Sequence, residues 1–183
     1  TLKVSGVHVD GGFQEYLVAN ERMLHKFPDY LTFEQATLIE PYTIGEQSNF
    51  RAGTAKDDIV LIHGAGPIGL IICDVAKQRG AFCIISEING RRLEIVKEFG
   101  ADCVINPSVE DLEKKITEIT DGAGPNVIFE TTGVPSLLND SVRMVSAAGT
   151  VVPLTFGSDP IPIDFKEVNK KEVNIVGTRL QSN

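Results

Sequence analysis

Short unbroken runs of apolar residues alternate along this chain with segments in which apolar residues recur every three to four positions. The clearest run covers 59–62 and predicts a strand buried on both faces of a sheet. From Pro67 onward the spacing becomes helical, and Ser108 is the expected N-cap of a later helix. This pattern predicts an α/β fold with a doubly wound parallel sheet of six strands. The predicted strands are 59–62, 81–87, 102–105, 127–129, 149–154 and 173–176, and the predicted helices are 45–51, 67–79, 91–99, 108–120 and 135–145.

The first forty residues carry a different pattern. Apolar residues at 13–18 predict one strand, and Thr32 with Gln35 predicts a capping box at the start of a short helix. This segment has too few apolar residues to build a core alone. We therefore expect 1–40 to be the edge of one domain and 41–183 to form a second domain.

A glycine-rich turn links the first predicted strand to the helix after it, with glycines at 64, 66 and 69. This order suits a pyrophosphate, because backbone N–H groups and the helix dipole favour negative charge at a helix N terminus. Gly64 would make the turn, Gly66 would let the phosphates approach, and Gly69 would let the helix pack against the strand. Three glycines alone leave a glycine-rich loop of some other α/β protein about equally open.

A carboxylate ends the second predicted strand. Glu87 lies eighteen residues after Gly69, close to the spacing that places an acid on the adenosine ribose of a bound dinucleotide. Such an acid accepts hydrogen bonds from both ribose hydroxyls and repels a 2′-phosphate. The sequence therefore predicts NAD rather than NADP as the cofactor.

Net charge argues against two classes of partner. The chain carries 17 Lys and Arg against 25 Asp and Glu, a formal net charge of −8. A nucleic acid or an anionic membrane surface would require clustered basic side chains, so neither is expected as a partner. No apolar run reaches the roughly eighteen residues of a membrane span and no signal peptide is evident, so we expect a cytoplasmic protein.

Cysteine and histidine usage gives no metal cluster. Cys73, Cys83 and Cys103 lie in apolar helix or strand patterns without a Cys-x-x-Cys pair. We expect buried thiols of a reducing compartment, neither disulfides nor zinc ligands. His63 ends the first strand beside the glycine turn, where it could contact a cofactor, although a structural histidine is the favoured interpretation.

Several motifs, taken in order and spacing, together resemble one known family, the zinc-type medium-chain alcohol dehydrogenases. The similarity is greatest to the branch that acts on polyols and sugar acids, which includes sorbitol, threonine and galactonate dehydrogenases. It covers nearly the whole chain and is carried by the segments 6–8 (GVH), 10–16 (DGGFQEY), 39–41 (IEP), 64–69 (GAGPIG) and 100–102 (GAD), and by Glu87 with Arg91 and Arg92.

The resemblance implies a domain boundary at Glu40–Pro41. Residues 1–40 would be the C-terminal edge of a truncated, barrel-like GroES-type catalytic domain, and 41–183 would be an NAD-binding Rossmann domain. The chain begins at Thr1 without a methionine, so a fragment is expected. Such a fragment is expected to bind NAD weakly and not to oxidise alcohols.

The resemblance also assigns residues to parts of NAD. Pro67 and Ile68 would give backbone N–H groups to the pyrophosphate, and Glu87 would take the ribose hydroxyls. The further contacts that it implies are Arg92 at the adenosine, Thr131 and Thr132 along the adenine and nicotinamide ribose, Leu154 and Ile44 at the nicotinamide, and Arg179 in the cleft near the substrate. Packing at strand ends accounts equally well for Thr131, Thr132 and Arg179.

Glu40 is the candidate metal ligand, because the polyol branch places a glutamate here at or near its catalytic zinc. One carboxylate does not make a zinc site, and the family's other ligands, a Cys and a His-Glu pair, would precede Thr1. Within this chain, local pairing of Glu40 is the favoured interpretation. In the intact enzyme, by resemblance, zinc lowers the pKa of a secondary alcohol and NAD accepts its hydride.

Two other functions stay open. A non-catalytic, nucleotide-sensing Rossmann module would share residues 41–183, although 10–16 and Glu40–Pro41 argue against it. A zinc-free quinone reductase of the same superfamily would use NADPH and would tend to lack an acid at Glu87. The substrate implied by the resemblance is a polyol or sugar acid, and the assembly implied is a homodimer formed through the edge strand at 173–177.

Overall fold

The computed structural model describes residues 3–155 and 160–179 of the chain. Its contacts divide the chain into two compact units, Thr1–Thr37 and Leu38–Asn183. The division falls close to Glu40–Pro41, and the sheet lies entirely in the second unit.

The described part of the first unit has little regular secondary structure. It contains a 3-10 helix, Glu21–Met23, and one short α-helix, α1, Phe33–Ala36. The predicted capping box is confirmed at α1. The Thr32 hydroxyl accepts a hydrogen bond from the Gln35 N–H at 3.2 Å, and the Gln35 side chain accepts one from the Thr32 N–H at 3.0 Å.

The strand predicted over 13–18 is wrong. The residues described there pair with no other strand, and the bridge between Ser5 and Val9 is the one strand-type pairing in the described part of this unit. The side chains of Phe13 and Tyr16 remain exposed. An apolar pattern forms a strand only where a neighbouring strand satisfies its backbone groups, and the first unit supplies none in its described part.

The second unit contains a parallel sheet of six strands in its described part, as predicted, in the order β3-β2-β1-β4-β5-β6. The observed limits of each strand differ from the predicted ones by at most one residue at either end. The strands are β1 Ile59–His63, β2 Phe82–Ser86, β3 Cys103–Ile105, β4 Val127–Glu130, β5 Thr150–Pro153 and β6 Asn174–Ile175.

Helices alternate with these strands. They are α2 Ile39–Ala52, α3 Pro67–Gln78, α4 Gly90–Glu98, α5 Leu112–Ile119, α6 Pro135–Met144 and α7 Phe165–Lys171. The predicted helix at 45–51 is the second half of α2, which runs through Pro41 because proline is tolerated in a first helical turn. Helix α7 was not predicted.

Helix α5 begins later than predicted, so Ser108 is not its N-cap. Asp111 has this role, and its carboxylate accepts a hydrogen bond from the Lys114 N–H at 3.0 Å. Ser108 lies in the preceding turn, where its N–H donates to the Asn106 side chain at 2.9 Å.

Apolar side chains cover both faces of the sheet. Ala52 of α2, Ile72 of α3 and Val96 of α4 join the buried cluster on one face, whereas Ile116 of α5 and Val142 of α6 join the cluster on the other. Burial of both faces explains why the strands are continuous apolar runs. Because the helices cover the two faces of the sheet, a site can form at the loops that follow the carboxyl ends of the strands.

The three cysteines are free. Cys73 and Cys83 are buried as predicted, and Cys103 is only partly buried. No helix in the described ranges is long and apolar enough to cross a membrane.

Candidate functional site

The candidate site lies at the carboxyl ends of β1 and β4. These strands are neighbours, but the chain proceeds from β1 to β2 and β3 on one side, and from β4 to β5 and β6 on the other. Loops diverge at such a point in a doubly wound sheet and leave a crevice in which ligands bind. Most of the residues selected from the sequence lie in the loops after β1, β2, β4 and β5 or in the first turns of α3 and α4.

The three glycines after β1 meet different geometric requirements. Gly64 has φ of +98°, and a Cβ there would lie 2.8 Å from Thr131 Oγ1. A Cβ on Gly69 would lie 2.1 Å from the Gly64 carbonyl oxygen, so only glycine lets α3 approach the turn this closely. A Cβ on Gly66 would meet no atom within 4 Å. The loop therefore combines a sharp turn, a tight packing point and open space that a phosphate could occupy.

Helix α3 begins directly after this loop, with Gly66 as N-cap and Pro67 in its first turn. No side chain of the described residues caps this helix end. The expectation that Pro67 donates a backbone N–H is wrong, because proline has none. The N–H donors of the first turn are those of Ile68 and Gly69, and they suit this end of α3 to an anion.

Glu87 follows β2 and is buried, with only 6% of the residue exposed. Its Oε1 accepts hydrogen bonds from the N–H groups of Ile88 and Asn89, each at 2.8 Å. Its Oε2 accepts one from the Ala65 N–H at 2.9 Å. The bond to Ala65 fixes the acid directly beside the glycine turn.

These contacts also set the ionisation of Glu87. Burial raises the pKa of the carboxyl, but hydrogen bonds from Asn89, Ala65 and Ile88, together with the Arg92 charge, outweigh it and hold the pKa below its ordinary value. Glu87 is therefore a fixed negative charge at neutral pH.

Arg92 lies on the outer side of this acid. Its Nη1 is 3.5 Å from Glu87 Oε2, and its side chain is about half exposed. Asn89 caps α4 by accepting hydrogen bonds from the N–H groups of Arg91 and Arg92, which places Arg92 at this position. Because the contact is long and the guanidinium side of the ion pair is about half exposed, Arg92 is held weakly and can turn toward a ligand.

The loop after β4 packs over the glycine turn. The Thr131 hydroxyl donates to the His63 carbonyl oxygen at 2.7 Å, and a Cβ on Gly64 would lie 3.0 Å from Thr132 Cγ2. Both predicted threonines therefore lie beside the phosphate-binding candidate. Leu154 adjoins them through the backbone, because its N–H donates to the Glu130 carbonyl oxygen at 3.0 Å.

Glu130, the last residue of β4, was not predicted from the sequence as a site residue. Only 2% of this residue is exposed, and its carboxylate accepts hydrogen bonds from Thr132, Gly133 and Thr155. The signal that identified Glu87, an acid directly after a buried apolar run, was also present here.

His63 lies opposite Glu130 in the register of β1 and β4. It is buried, and neither ring nitrogen has a hydrogen-bond partner among the described residues. Burial lowers the pKa of His63 to about 4, although the charges of Glu130 and Asp140 act to raise it. His63 is therefore a neutral residue of the interior beneath the site.

Other predicted residues lie on different elements. Ile44 is half-buried in α2, where the neighbouring Gly45 packs against Ile71 of α3. Arg179 is exposed in the segment after β6, and this segment passes Arg51 at the end of α2, whose Nε donates to the Gly177 carbonyl oxygen at 3.3 Å.

The described residues do not fit a zinc ion. Glu40 is exposed in the first turn of α2, and its carbonyl oxygen accepts a hydrogen bond from the Thr43 hydroxyl at 2.6 Å. Residues 3–155 and 160–179 contain no group of three His, Cys, Asp or Glu side chains that could hold a metal. A tetrahedral zinc site needs more ligands than Glu40 provides.

The sheet order, the glycine turn at its switch point and the acid after β2 define a Rossmann-type α/β domain. Comparison with known proteins agrees. The family model described as zinc-binding dehydrogenase matches residues 67–183. The starvation-sensing protein RspB of Escherichia coli K12 is 37% identical over 187 residues, covering 100% of this chain and 54% of that protein. L-threonine 3-dehydrogenase of Pyrococcus horikoshii is 40% identical over 168 residues, covering 91% of this chain and 48% of that protein.

Among solved structures, RspB from E. coli CFT073, described as a short chain alcohol dehydrogenase complexed with cofactor NADH, matches with a TM-score of 0.93 and 36% identity. That match covers 100% of this chain and 54% of the RspB chain. The chain therefore belongs to the zinc-binding dehydrogenase family, the zinc-type alcohol dehydrogenases that its motifs resemble. It spans about half the length of the curated relatives it matches.

Proposed function

We propose that this chain is the NAD-binding part of a zinc-dependent dehydrogenase that oxidises a secondary alcohol of a polyol or sugar acid. The proposal rests mainly on Glu87. Its carboxylate is ionised, buried and tied to the glycine turn through Ala65, so an acid for the ribose and a turn for the pyrophosphate form one unit. Glu87 also argues against the quinone reductase alternative, since a fixed negative charge repels the 2′-phosphate of NADPH.

The proposal assigns the other residues for NAD around the same turn and, by the family resemblance, on α2 and in the segment after β6. The N–H groups of Ile68 and Gly69 would bind the pyrophosphate above Gly66, and Arg92 would contact the adenosine. The nicotinamide half would then lie along the loops after β4 and β5, near residues Thr131, Thr132 and Leu154, with Ile44 and Arg179 completing the site. When bound, NAD supplies the acceptor for the hydride of the alcohol.

The zinc and the substrate class rest on the family and on motifs at 10–16 and 39–41. Glu40 would contribute to a zinc site only together with ligands other than those described, so we derive no step through the metal. A cytoplasmic location fits the free thiols of the chain.

The test is calorimetric titration of the chain with NADH and, separately, NADPH. We expect NADH to bind more tightly by about tenfold or more, as charge repulsion of about 1.4 kcal/mol requires. Glu87→Gln should narrow this ratio, because the carboxylate charge is lost and Arg92 becomes available to the 2′-phosphate. The ratio is the informative quantity, since glutamine cannot accept all three backbone hydrogen bonds and absolute affinities will fall.

Glu94→Gln, at an exposed position on the neighbouring helix α4, is the matched control and should keep the wild-type ratio. Equal or tighter binding of NADPH by the wild-type chain would contradict the assignment of NAD.

The second candidate is a non-catalytic nucleotide sensor. The name of RspB, a starvation-sensing protein 37% identical to this chain, is the observation that favours it. Nucleotide binding does not separate the two functions, whereas alcohol oxidation by the full-length protein with zinc does. Tight NADH binding without turnover of any polyol or sugar acid would favour the sensor.

The proposal includes a homodimer formed through 173–177. Within the described residues, β6 lies at the edge of the sheet and pairs only with β5. Ile175 is 40% exposed on this strand. Exposed edges of this kind are commonly paired or blocked, and pairing with the same strand of a second copy would extend the sheet.

A further inference from the structure

The carboxylate of Glu130 is buried and fully engaged with two loops. Its Oε1 accepts hydrogen bonds from the Thr132 N–H at 2.7 Å and from the Thr132 hydroxyl at 2.5 Å. The Gly133 N–H is 3.2 Å from Oε1 and 3.3 Å from Oε2, and the Thr155 hydroxyl donates to Oε2 at 3.3 Å. One acid therefore joins the loop after β4 to the loop after β5.

The sheet itself does not require this acid. The backbone of Glu130 already pairs with β1 and with the start of the loop after β5, where its carbonyl oxygen accepts from the Leu154 N–H. Removing a carboxylate from water is costly unless hydrogen bonds compensate it. Among the described residues, every compensating hydrogen bond comes from the two loops, so the acid acts on loop position.

The loop that Glu130 holds fits closely against the glycine turn. A Cβ on Gly64 would lie within 3.0 Å of side-chain atoms of both Thr131 and Thr132. Gly133 has φ of +78°, and a Cβ there would lie 3.5 Å from Thr155 Cγ2. A small displacement of residues 131–133 would therefore alter the space beside the turn.

The two halves of a dinucleotide would lie on opposite sides of this turn. Glu87 after β2 marks the adenosine side, and the first turn of α3 marks the pyrophosphate. In the sheet order β2-β1-β4-β5, the remaining half must extend over β4 and β5. The loops joined by Glu130 are the ones found there.

We propose that Glu130 is a positioning residue for the nicotinamide half of the cofactor site, holding Thr132 and Gly133 against the glycine turn and linking them to Thr155. This role rests on the proposed binding of NAD. The proposed role concerns only the nicotinamide half of the ligand, so it can be distinguished from a general contribution of Glu130 to folding.

The test compares NADH with ADP, which contains only the adenosine half and the phosphates. In Glu130→Gln the neutral amide loses the charge and can accept fewer hydrogen bonds. We expect the Kd for NADH to rise about tenfold, as loss of one charge-assisted hydrogen bond predicts, while the Kd for ADP stays unchanged. Glu118→Gln, at an exposed position of α5, is the matched control and should leave both constants unchanged.

Amide hydrogen exchange of the protein without ligand is an independent test of whether Glu130 positions the loop. In Glu130→Gln, the Thr132 and Gly133 amides should exchange faster, whereas those of β1 should not. Equal losses for NADH and ADP would reveal a merely structural role, and unchanged NADH affinity or unchanged exchange at both amides would also overturn the proposal. If instead the proposed function is wrong, the wild-type chain will bind neither NADH nor ADP. The hydrogen-exchange result would then still decide whether Glu130 positions the loop.

Discussion

Replacing His63 tests how the interior beneath the candidate site responds to acid. His63 is 1% exposed at the end of β1, and both ring nitrogens lack partners within the described chain. Burial disfavours the charged imidazolium and lowers the pKa of His63 to about 4, against the opposing effect of the carboxylates of Glu130 and Asp140. The folded protein therefore holds this side chain neutral under conditions in which an unfolded chain would protonate it.

The size of the effect follows from this difference. The ordinary pKa of histidine is 6.5, so between pH 6.5 and about 4 the unfolded chain binds a proton that the folded chain does not. The contribution of His63 to the free energy of unfolding is fully retained well above pH 6.5 and falls with decreasing pH by about 1.4 kcal/mol per unit. The total loss is about 3 kcal/mol at pH 4, of which about 2 kcal/mol is already lost at pH 5.

Urea unfolding of the wild type and of His63→Leu, at about pH 7 and about pH 5, measures this contribution of His63 to the free energy of unfolding. Leucine is close to histidine in volume and cannot titrate, so the wild type should lose about 2 kcal/mol more than the variant over this interval. Acidic groups elsewhere contribute equally to both proteins and cancel in the comparison. At pH 7 the variant should keep its stability, because it removes two buried polar atoms that lack partners.

Val142→Ala is the control for lowered stability as such. Val142 is fully buried in α6 and carries no titratable group, so this variant should be less stable at both pH values with an unchanged difference between them. Parallel losses in the wild type and His63→Leu would refute the reasoning, since they would mean that His63 is equally protonated in the folded and unfolded states.

Two further predictions concern backbone packing and assembly. Gly69→Ala should lower the free energy of unfolding by about 2 kcal/mol or more in urea, because the new Cβ meets the Gly64 carbonyl oxygen, whereas Gly66→Ala, with no atom within 4 Å, should cost less than about 1 kcal/mol. Ile175→Lys should convert the proposed dimer to a monomer in multi-angle light scattering, because it places a charge on the edge strand, and Val109→Lys at an exposed position away from that strand should not. A stability loss shared by both glycine variants, or a monomeric wild type, would contradict these arguments.

The sheet was predictable because burial on both faces forces each strand to be a continuous apolar run, as in β1. Interactions for which two nearby residues are both suitable were not predictable in the same way. Ser108 and Asp111 are both capable N-caps, and the choice of Asp111 depends on where the turn after β3 ends. The strand expected at 13–18 fails for a related reason, since its apolar pattern has no partner strand in the described part of the first unit.

The candidate site was predictable to a similar extent. The glycine turn and Glu87 follow from spacing along the chain, and the structure joins them through the Ala65 hydrogen bond. Glu130 also follows an apolar run, but no spacing from a motif distinguishes it from an ordinary acid at the end of a strand. One of its partners, Thr155, follows a different strand, so it becomes a neighbour only when β4 and β5 pair.

In the proposed function, Glu87 would let a chain with a net charge of −8 select one anionic cofactor. Its Oε1 already accepts two backbone hydrogen bonds, so the ribose hydroxyls would approach Oε2, where Ala65 donates at 2.9 Å and Arg92 lies at 3.5 Å. Since the Ala65 bond is part of the glycine turn, Arg92 is the group that must yield. A neutral ribose hydroxyl could take the place of Arg92 at Oε2 at little cost. A 2′-phosphate would instead bring negative charge against a carboxylate that stays ionised. The proposed selectivity for NAD would thus depend on the backbone hydrogen bonds that keep Glu87 charged and in place, as much as on the carboxylate itself.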